Sequence, residues 1–357
     1  MNTIVDVARL AQVSIKTVSR VINDRDSVRE STRERVQRAI RQLDYHPHQG
    51  ARLMRGQDSG IIGLITGAID SMGKLLDDQG LSAVQILRGA QQACHQAGKT
   101  LMIANAAKSG RDFGQLLRLF AAHSVEGIIY ATDRHQQVAF PSPDIIPTVL
   151  ANCFDAVGTP SVVPDDYQGQ QIATEMLLDQ GHHHLVMVGL QEEVVATQLR
   201  RRAFFDACRD FGLHQDHVSY QTGAASGHPD GTFGPLPSVL RTLLESRTPP
   251  SAILFGNDIM TMRGMSLLRN AGVLIPDDIS IVGFDNDIRL CENLHPRLTT
   301  VGLPYVEIGR RAVAMLLDEE QAGNRTSIER VRCELVLRDS SRPPDSIAPS
   351  STHAPVA

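Results

Sequence analysis

From residue 60 to residue 284 the chain alternates between two kinds of segment, and this alternation restricts its fold more than any other feature. Seven short runs rich in apolar residues (60–65, 100–104, 127–131, 147–151, 184–188, 251–255 and 279–284) are separated by amphipathic stretches such as 85–97, 168–178, 199–211, 236–244 and 258–271. A strand that is apolar throughout must be covered on both faces, and strands that alternate with helices run parallel. The pattern therefore predicts an α/β body of parallel sheets covered by helices. Roughly 280 residues are more than one such sheet needs, so two lobes are expected.

Composition narrows the class. Of 357 residues, 42% are hydrophobic and 21% charged, which is ordinary for a folded domain and wrong for a disordered one. No run of about 18 apolar residues occurs, and the first residues lack a basic stretch followed by an apolar one. No membrane span and no secretory leader are expected, and the chain is expected to be cytoplasmic. The five cysteines (Cys94, Cys153, Cys208, Cys291, Cys333) are widely spaced and form no C-x-x-C. They read as reduced thiols, and no metal site or cofactor is expected. Charge is unevenly divided: residues 1–57 carry 11 Lys/Arg and 6 acids, whereas the remainder carries 24 basic and 34 acidic residues. A cationic head on an acidic body suits a module that binds a polyanion.

Helix signals crowd that head. Thr3 followed by Asp6 is an approximate capping box, with Val7, Ala8, Leu10 and Ala11 as one apolar face behind it. Ser14 is a second N-cap candidate, opening a helix with Val18, Val21 and Ile22 inward. Only Gln12 and Val13 separate the two. Ser31-Thr32-Arg33-Glu34 reads as a full capping box for a third helix, with Val36, Ala39, Ile40 and Leu43 as its stripe. Two tightly turned helices and a third match the helix-turn-helix pattern, in which the second helix enters the major groove. Ile15, Lys16, Thr17 and Arg20 would then face base edges and phosphates, with Arg20 able to pair bidentately with guanine. Spacing alone also fits a purely structural helix with a solvated Lys16/Arg20 face.

The stretch from Thr3 to Asn23 (TIVDVARLAQVSIKTVSRVIN) resembles the N-terminal signature of the LacI/GalR family of bacterial transcriptional regulators, and the likeness continues through Val28, Thr32–Val36 and Leu43-Asp44-Tyr45-His46-Pro47. Gln12 departs from it, since the family usually has glycine in that turn. The resemblance assigns base reading to Ile15, Lys16 and Arg20, and the DNA-contacting candidates of the head are Thr3, Ser14, Ile15, Lys16, Thr17, Arg20, Asn23 and Tyr45. It implies a hinge at 47–58 that folds on operator DNA, with His48 and Ala51 against the minor groove and Met54 as the apolar wedge. It also implies a two-lobed, periplasmic-binding-protein-like effector domain over 59–339. The Ser/Pro-rich tail, 340–357, is expected to be disordered and holds no leucine heptads, so a homodimer on a pseudo-palindromic operator is expected.

Effector candidates follow from the same likeness. Arg200 opens a segment similar to the family's R-x-x-G-[FY], Asn257-Asp258 resembles its A-N-D, and Asp285 ends a V-G-[FY]-D strand. Asn152 is read as following the 147–151 strand. Tyr305 is placed to stack on a ligand, and Asp70 and Ser71 are the choices from the 66–80 loop. Carboxylate, amide, guanidinium and one aromatic face suit a sugar, with a nucleobase as the alternative. Asn257 and Asp285 also fit a capping role, Tyr305 fits ordinary packing, and Arg201 and Arg202 read as surface. The remaining signals are decoys. Gly67 and Gly73-Lys74 are separated by one residue too many for a phosphate loop, and Leu75 replaces its Ser/Thr. His182-His183-His184 reads as a solvated helix end. No nucleophile elbow or zinc-protease motif occurs. A ligand-gated repressor thus competes with an enzyme carrying a DNA-binding head, which needs a nucleotide motif, and with a constitutive DNA binder, which needs no effector.

Overall fold

The computed structural model describes residues 2–22, 28–45, 59–66, 81–106, 113–140, 146–224, 233–318 and 327–344. They fall into two compact units, one up to Ser59 and one from Gly60 onward.

The first unit holds α1 (Ile4–Ala11), α2 (Ile15–Ile22) and α3 (Glu30–Leu43). Thr3 caps α1 in a complete box: its Oγ1 accepts from Asp6 N, while the Asp6 carboxylate accepts from Thr3 N at 2.9 Å. Gln12 closes α1 in the left-handed region (φ 52°), the conformation for which glycine is usual, and its N–H bonds back to Ala8 and Arg9 carbonyls. Two residues on, Ser14 Oγ accepts from Thr17 N at 3.1 Å and starts α2. Val7, Ala8, Ala11, Val18, Val21, Val36 and Ala39 form the small core.

Three expectations for the head are corrected. Leu10 is 43% exposed and outside the core, because its position rotates it away from α2 and α3. The capping box at Ser31 does not form: α3 begins at Glu30, its N-cap is Arg29 without a side-chain bond, and Glu30 supplies the negative charge of the first turn. Tyr45 is 6% exposed and packs into the core, against the expectation of an exposed contact residue.

The second unit has two six-stranded sheets. In strand order, the first contains β1 (Ile61–Thr66), β2 (Thr100–Asn105), β3 (Gly127–Gln137), β4 (Thr148–Phe154), β5 (Ser161–Pro164) and β11 (Ile328–Val331), arranged β11-β5-β4-β3-β1-β2 and wholly parallel. The second contains β6 (Leu185–Gly189), β7 (Val218–Thr222), β8 (Ala252–Phe255), β9 (Ser280–Asp285), β10 (Thr299–Gly302) and β12 (Glu334–Val336), arranged β12-β10-β9-β8-β6-β7, with only β12 antiparallel. The helices are α4 (Leu81–Gln96), α5 (Phe113–Ala122), α6 (Asp166–Asp179), α7 (Val195–Asp210), α8 (Leu236–Leu244), α9 (Asp258–Asn270), α10 (Ile288–Cys291) and α11 (Tyr305–Leu317). The chain passes between lobes three times: through α6, through α11 and between β11 and β12. One continuous core therefore joins Leu64 and Ile129 of the first lobe to Leu177, Met187 and Phe284 of the second. Among the described residues no helix is long and apolar enough to cross a membrane.

The tail and the histidine run also differ from expectation. Ser340 is fully buried: its Oγ accepts from Thr299 N at 2.8 Å and donates to Ile281 O at 2.7 Å. Ser340, Ser341 and Arg342 are thus tied to the second lobe at the amino ends of β9 and β10. His182 is buried, held by Ser251 Oγ at 3.0 Å and by the Arg342 carbonyl at 2.9 Å, and burial pushes its pKa down. It is a structural clamp on the tail and no solvated helix end.

Helices α4 and α11 meet backbone to backbone. A Cβ at Gly89 would lie 1.9 Å from Val306 O, and one at Gly309 would lie 2.0 Å from Ile86 O. Helix propensity alone favours Gly309→Ala by up to about 1 kcal/mol; the close approach reverses the sign. Thermal unfolding of Gly309→Ala is expected to show a loss of about 1–3 kcal/mol, and an unchanged or raised midpoint would contradict the packing.

Candidate functional site

The head presents one solvent-facing surface with chemistry suited to DNA. Val18 and Val21 anchor α2 inward, which leaves Ile15, Lys16 and Arg20 exposed on the opposite side. Ile15 is 47% exposed, an apolar side chain kept at the surface beside two cations. Ser14 Oγ and Thr17 Oγ1 lie 2.9 Å apart at the start of the helix. Thr3 is exposed, but its side chain is engaged in the α1 cap. Asn23, His48, Ala51 and Met54 lie outside the described residues.

The body holds a cavity of about 360 Å³ at the carboxyl ends of strands from both sheets, where open parallel sheets place their ligand sites. Of the effector candidates, Asn152, Arg200, Asn257, Asp285 and Tyr305 all line it; Asp70 and Ser71 lie outside the described residues. Its geometry assigns them different tasks.

Asn152 does not follow its strand but sits inside β4, at φ 59°, where the β3–β4 register shifts. Its Nδ2 donates to Thr132 O at 3.0 Å, and its Oδ1 is buried without a partner among the described residues. Asp285 ends β9 at φ 124°, and Asn286 follows at φ 58°. Strained backbone of this kind persists where the surroundings hold it in place, typically at binding sites. Asn257 is mainly a cap: its Oδ1 accepts from Met260 N at 2.8 Å and fixes the first turn of α9. Tyr305, 9% exposed, opens α11 and forms part of the wall.

Arg200 is the most constrained of the set. Its Nε and Nη2 both donate to Asp166 Oδ1, at 2.7 and 2.6 Å, and its Nη1 donates to Gly256 O at 2.8 Å. The guanidinium also lies 3.6 Å above the Phe284 ring. Most of its donors are therefore committed to the protein, and it acts as part of the cavity wall. Asp166 completes the unit by accepting from His135 Nδ1 at 2.7 Å. Burial alone would raise the Asp166 pKa; the Arg200 charge, reinforced by His135, outweighs it and holds the carboxyl below its ordinary value. Asp258 shows the opposite balance. Thr300 Oγ1, Asp287 N and Cys291 Sγ all donate to it, yet burial pushes it up to about 6.

Asp166, His135, Asp133, Arg134, Gln191, Asp287 and Arg289 were not singled out from the sequence, although all line the cavity. The available signal was the acidic pair Asp165-Asp166 directly after an apolar run, but that run is only the four residues of β5.

Comparison with known proteins places both units. Residues 3–48 match the model of the bacterial regulatory proteins of the lacI family, and residues 174–341 match a periplasmic binding protein-like domain. The sucrose operon repressor of Shigella flexneri is 35% identical over 343 residues, covering 95% of this chain and all of the relative. A LacI-family transcriptional regulator from Rhizobium etli superposes with a TM-score of 0.70 at 31% identity, over 79% of this chain and 99% of its own. The lac repressor dimer bound to operator shares the fold, with a TM-score of 0.76 at 23% identity over 95% of this chain and 98% of its own. The chain belongs to the LacI family of bacterial transcriptional regulators, which bind DNA and are not enzymes.

Replacing Asp166 with asparagine leaves the Arg200 charge buried without its partner. Urea unfolding at neutral pH is expected to show a loss of about 3–5 kcal/mol. Because the folded pKa lies below the unfolded one, this stabilisation is present above the ordinary carboxylate value of 3.8 and is lost as the pH falls through the folded value. The variant should therefore lose less stability than the wild type below that pH, and parallel acid profiles would contradict the assignment.

Proposed function

We propose that this chain is a cytoplasmic, homodimeric repressor of carbohydrate-use genes, released from or held on a pseudo-palindromic operator by a sugar bound in the cleft. The observation that carries the reading is the polar cavity at the strand ends, in the same chain as a DNA-facing helix that keeps Ile15, Lys16 and Arg20 exposed. A constitutive binder has no use for a cavity walled by oriented carboxylates and amides.

In this reading Arg20 and Lys16 read base edges, Ile15 contributes an apolar contact, and Ser14 and Thr17 hold a phosphate. Residues 47–58 act as a hinge that folds on DNA, with His48 and Ala51 at the minor groove and Met54 as the wedge. Thr3 and Asn23 contribute backbone contacts. In the cleft, Asn152, Asp285 and Tyr305 face the sugar, Arg200 and Asn257 frame it, and Asp70 and Ser71 belong to its first-lobe side. The name of the sucrose operon repressor supports the sugar class.

Fluorescence anisotropy on operator fragments tests the DNA side. Arg20→Ala is expected to cost about 1–3 kcal/mol on the operator and to relax the preference at one base pair, while dimerisation and sugar affinity stay intact. An equal loss on operator and random DNA would refute base reading by Arg20. The effector side is tested by adding mono- and disaccharides to the preformed complex: one of them should change operator affinity, and indifference to all would leave a constitutive binder.

A further inference from the structure

Resting on the reading of the cleft as the effector site, we propose that the effector is a non-acidic polyol, and that the cleft discriminates against phosphorylated or carboxylated forms of the same skeleton. The first observation is charge. Five carboxylates (Asp133, Asp166, Asp258, Asp285, Asp287) and three guanidiniums (Arg134, Arg200, Arg289) line the cavity among the described residues. Two of the three guanidiniums are already matched by a carboxylate. Arg200 is paired with Asp166 at 2.6 Å, and Arg289 with Asp287 through bonds of 2.8 and 3.0 Å. Arg134 Nη1 donates to the neutral Gln191 Oε1 at 3.1 Å, so its single unmatched charge stands against the three remaining carboxylates, Asp133, Asp258 and Asp285. A phosphate or carboxylate is bound by cations whose charge is not already matched, and here it would meet excess negative charge in a partly desolvated space.

The second observation is the polarity of the open hydrogen-bonding groups. Asn152 Oδ1 is a buried acceptor without a partner among the described residues. His135 is buried and bonded through Nδ1 to Asp166, and in the neutral imidazole with that nitrogen donating, Nε2 is an acceptor as well. Some donors on the wall are taken up by the fold: Ser82 Oγ donates to Asp133 O, and Arg200 donates to Asp166 and Gly256 O. A wall with five carboxylates and an open amide oxygen suits a ligand that donates. Hydroxyl groups do so; a phosphate ester adds only acceptor oxygens. Phe233 and Leu190, also on the wall, supply apolar surface for the C–H faces of such a molecule.

Isothermal titration of the full chain with matched pairs tests this: glucose and glucose 6-phosphate, fructose and fructose 6-phosphate, sucrose and sucrose 6-phosphate. At least one parent sugar should bind, with its phosphate ester at least about tenfold weaker. An ester that binds as tightly as its parent, or more tightly, overturns this inference and leaves the cleft as an effector site. Binding by no member of the panel overturns the sugar reading of the cleft, and this inference falls with it. Asp287→Asn adds a second readout, because asparagine keeps the α10 cap while leaving the Arg289 charge unmatched. The ester-to-parent ratio should narrow several-fold in that variant, and an unchanged ratio would overturn the charge argument.

Discussion

The body depends on one buried carboxylate. Asp166 stands at the junction where the chain leaves the first sheet for the second. It accepts from His135 on the first-lobe strand β3 and from Arg200 on the second-lobe helix α7. A charge at this depth is tolerated only when it is paired and hydrogen-bonded, so the three side chains fix one another's positions. The pairing sets the cavity floor: it orients the Arg200 guanidinium against Phe284 and Gly256 and turns the imidazole of His135 toward the cleft.

Around that floor, the topology gathers the strand ends. Because the chain crosses between lobes three times and one core runs through both, the two sheets present their carboxyl ends to a shared space. The backbone is forced into the left-handed half of conformational space at Asn152, Asp285 and Asn286, all at this edge. The residues that cost the fold conformational energy are therefore among those that shape the wall, as expected where a site is built ahead of its ligand.

Most of this architecture was legible in the sequence, for identifiable reasons. Strands apolar on both faces, such as β1 and β9, and helices with a clear stripe, such as α8, declare themselves by pattern. The edge strand β7 is half polar, and β5 is four residues long, so neither carries a period long enough to read. The capped turn Thr3–Ser14 was readable because each cap needs a particular side chain, whereas α3 starts with Arg29, which announces nothing. Within the cleft, the capping alternative for Asn257 was readable because its bond to Met260 N is local, whereas family likeness pointed to Arg200 but not to its task, since only tertiary structure brings Asp166 beside it. His182 misled because adjacent histidines look solvated until a returning tail supplies the carbonyl that buries one of them.

Occupancy of the cleft and grip on DNA are thermodynamically linked in such a chain, so each must alter the other by the same factor. The most direct test is to titrate the effector sugar calorimetrically into the free protein and into its operator complex. The account predicts two different dissociation constants, whose ratio equals the ratio of operator affinities measured with and without saturating sugar. Equal sugar affinities in the two states, alongside intact operator binding, would contradict it.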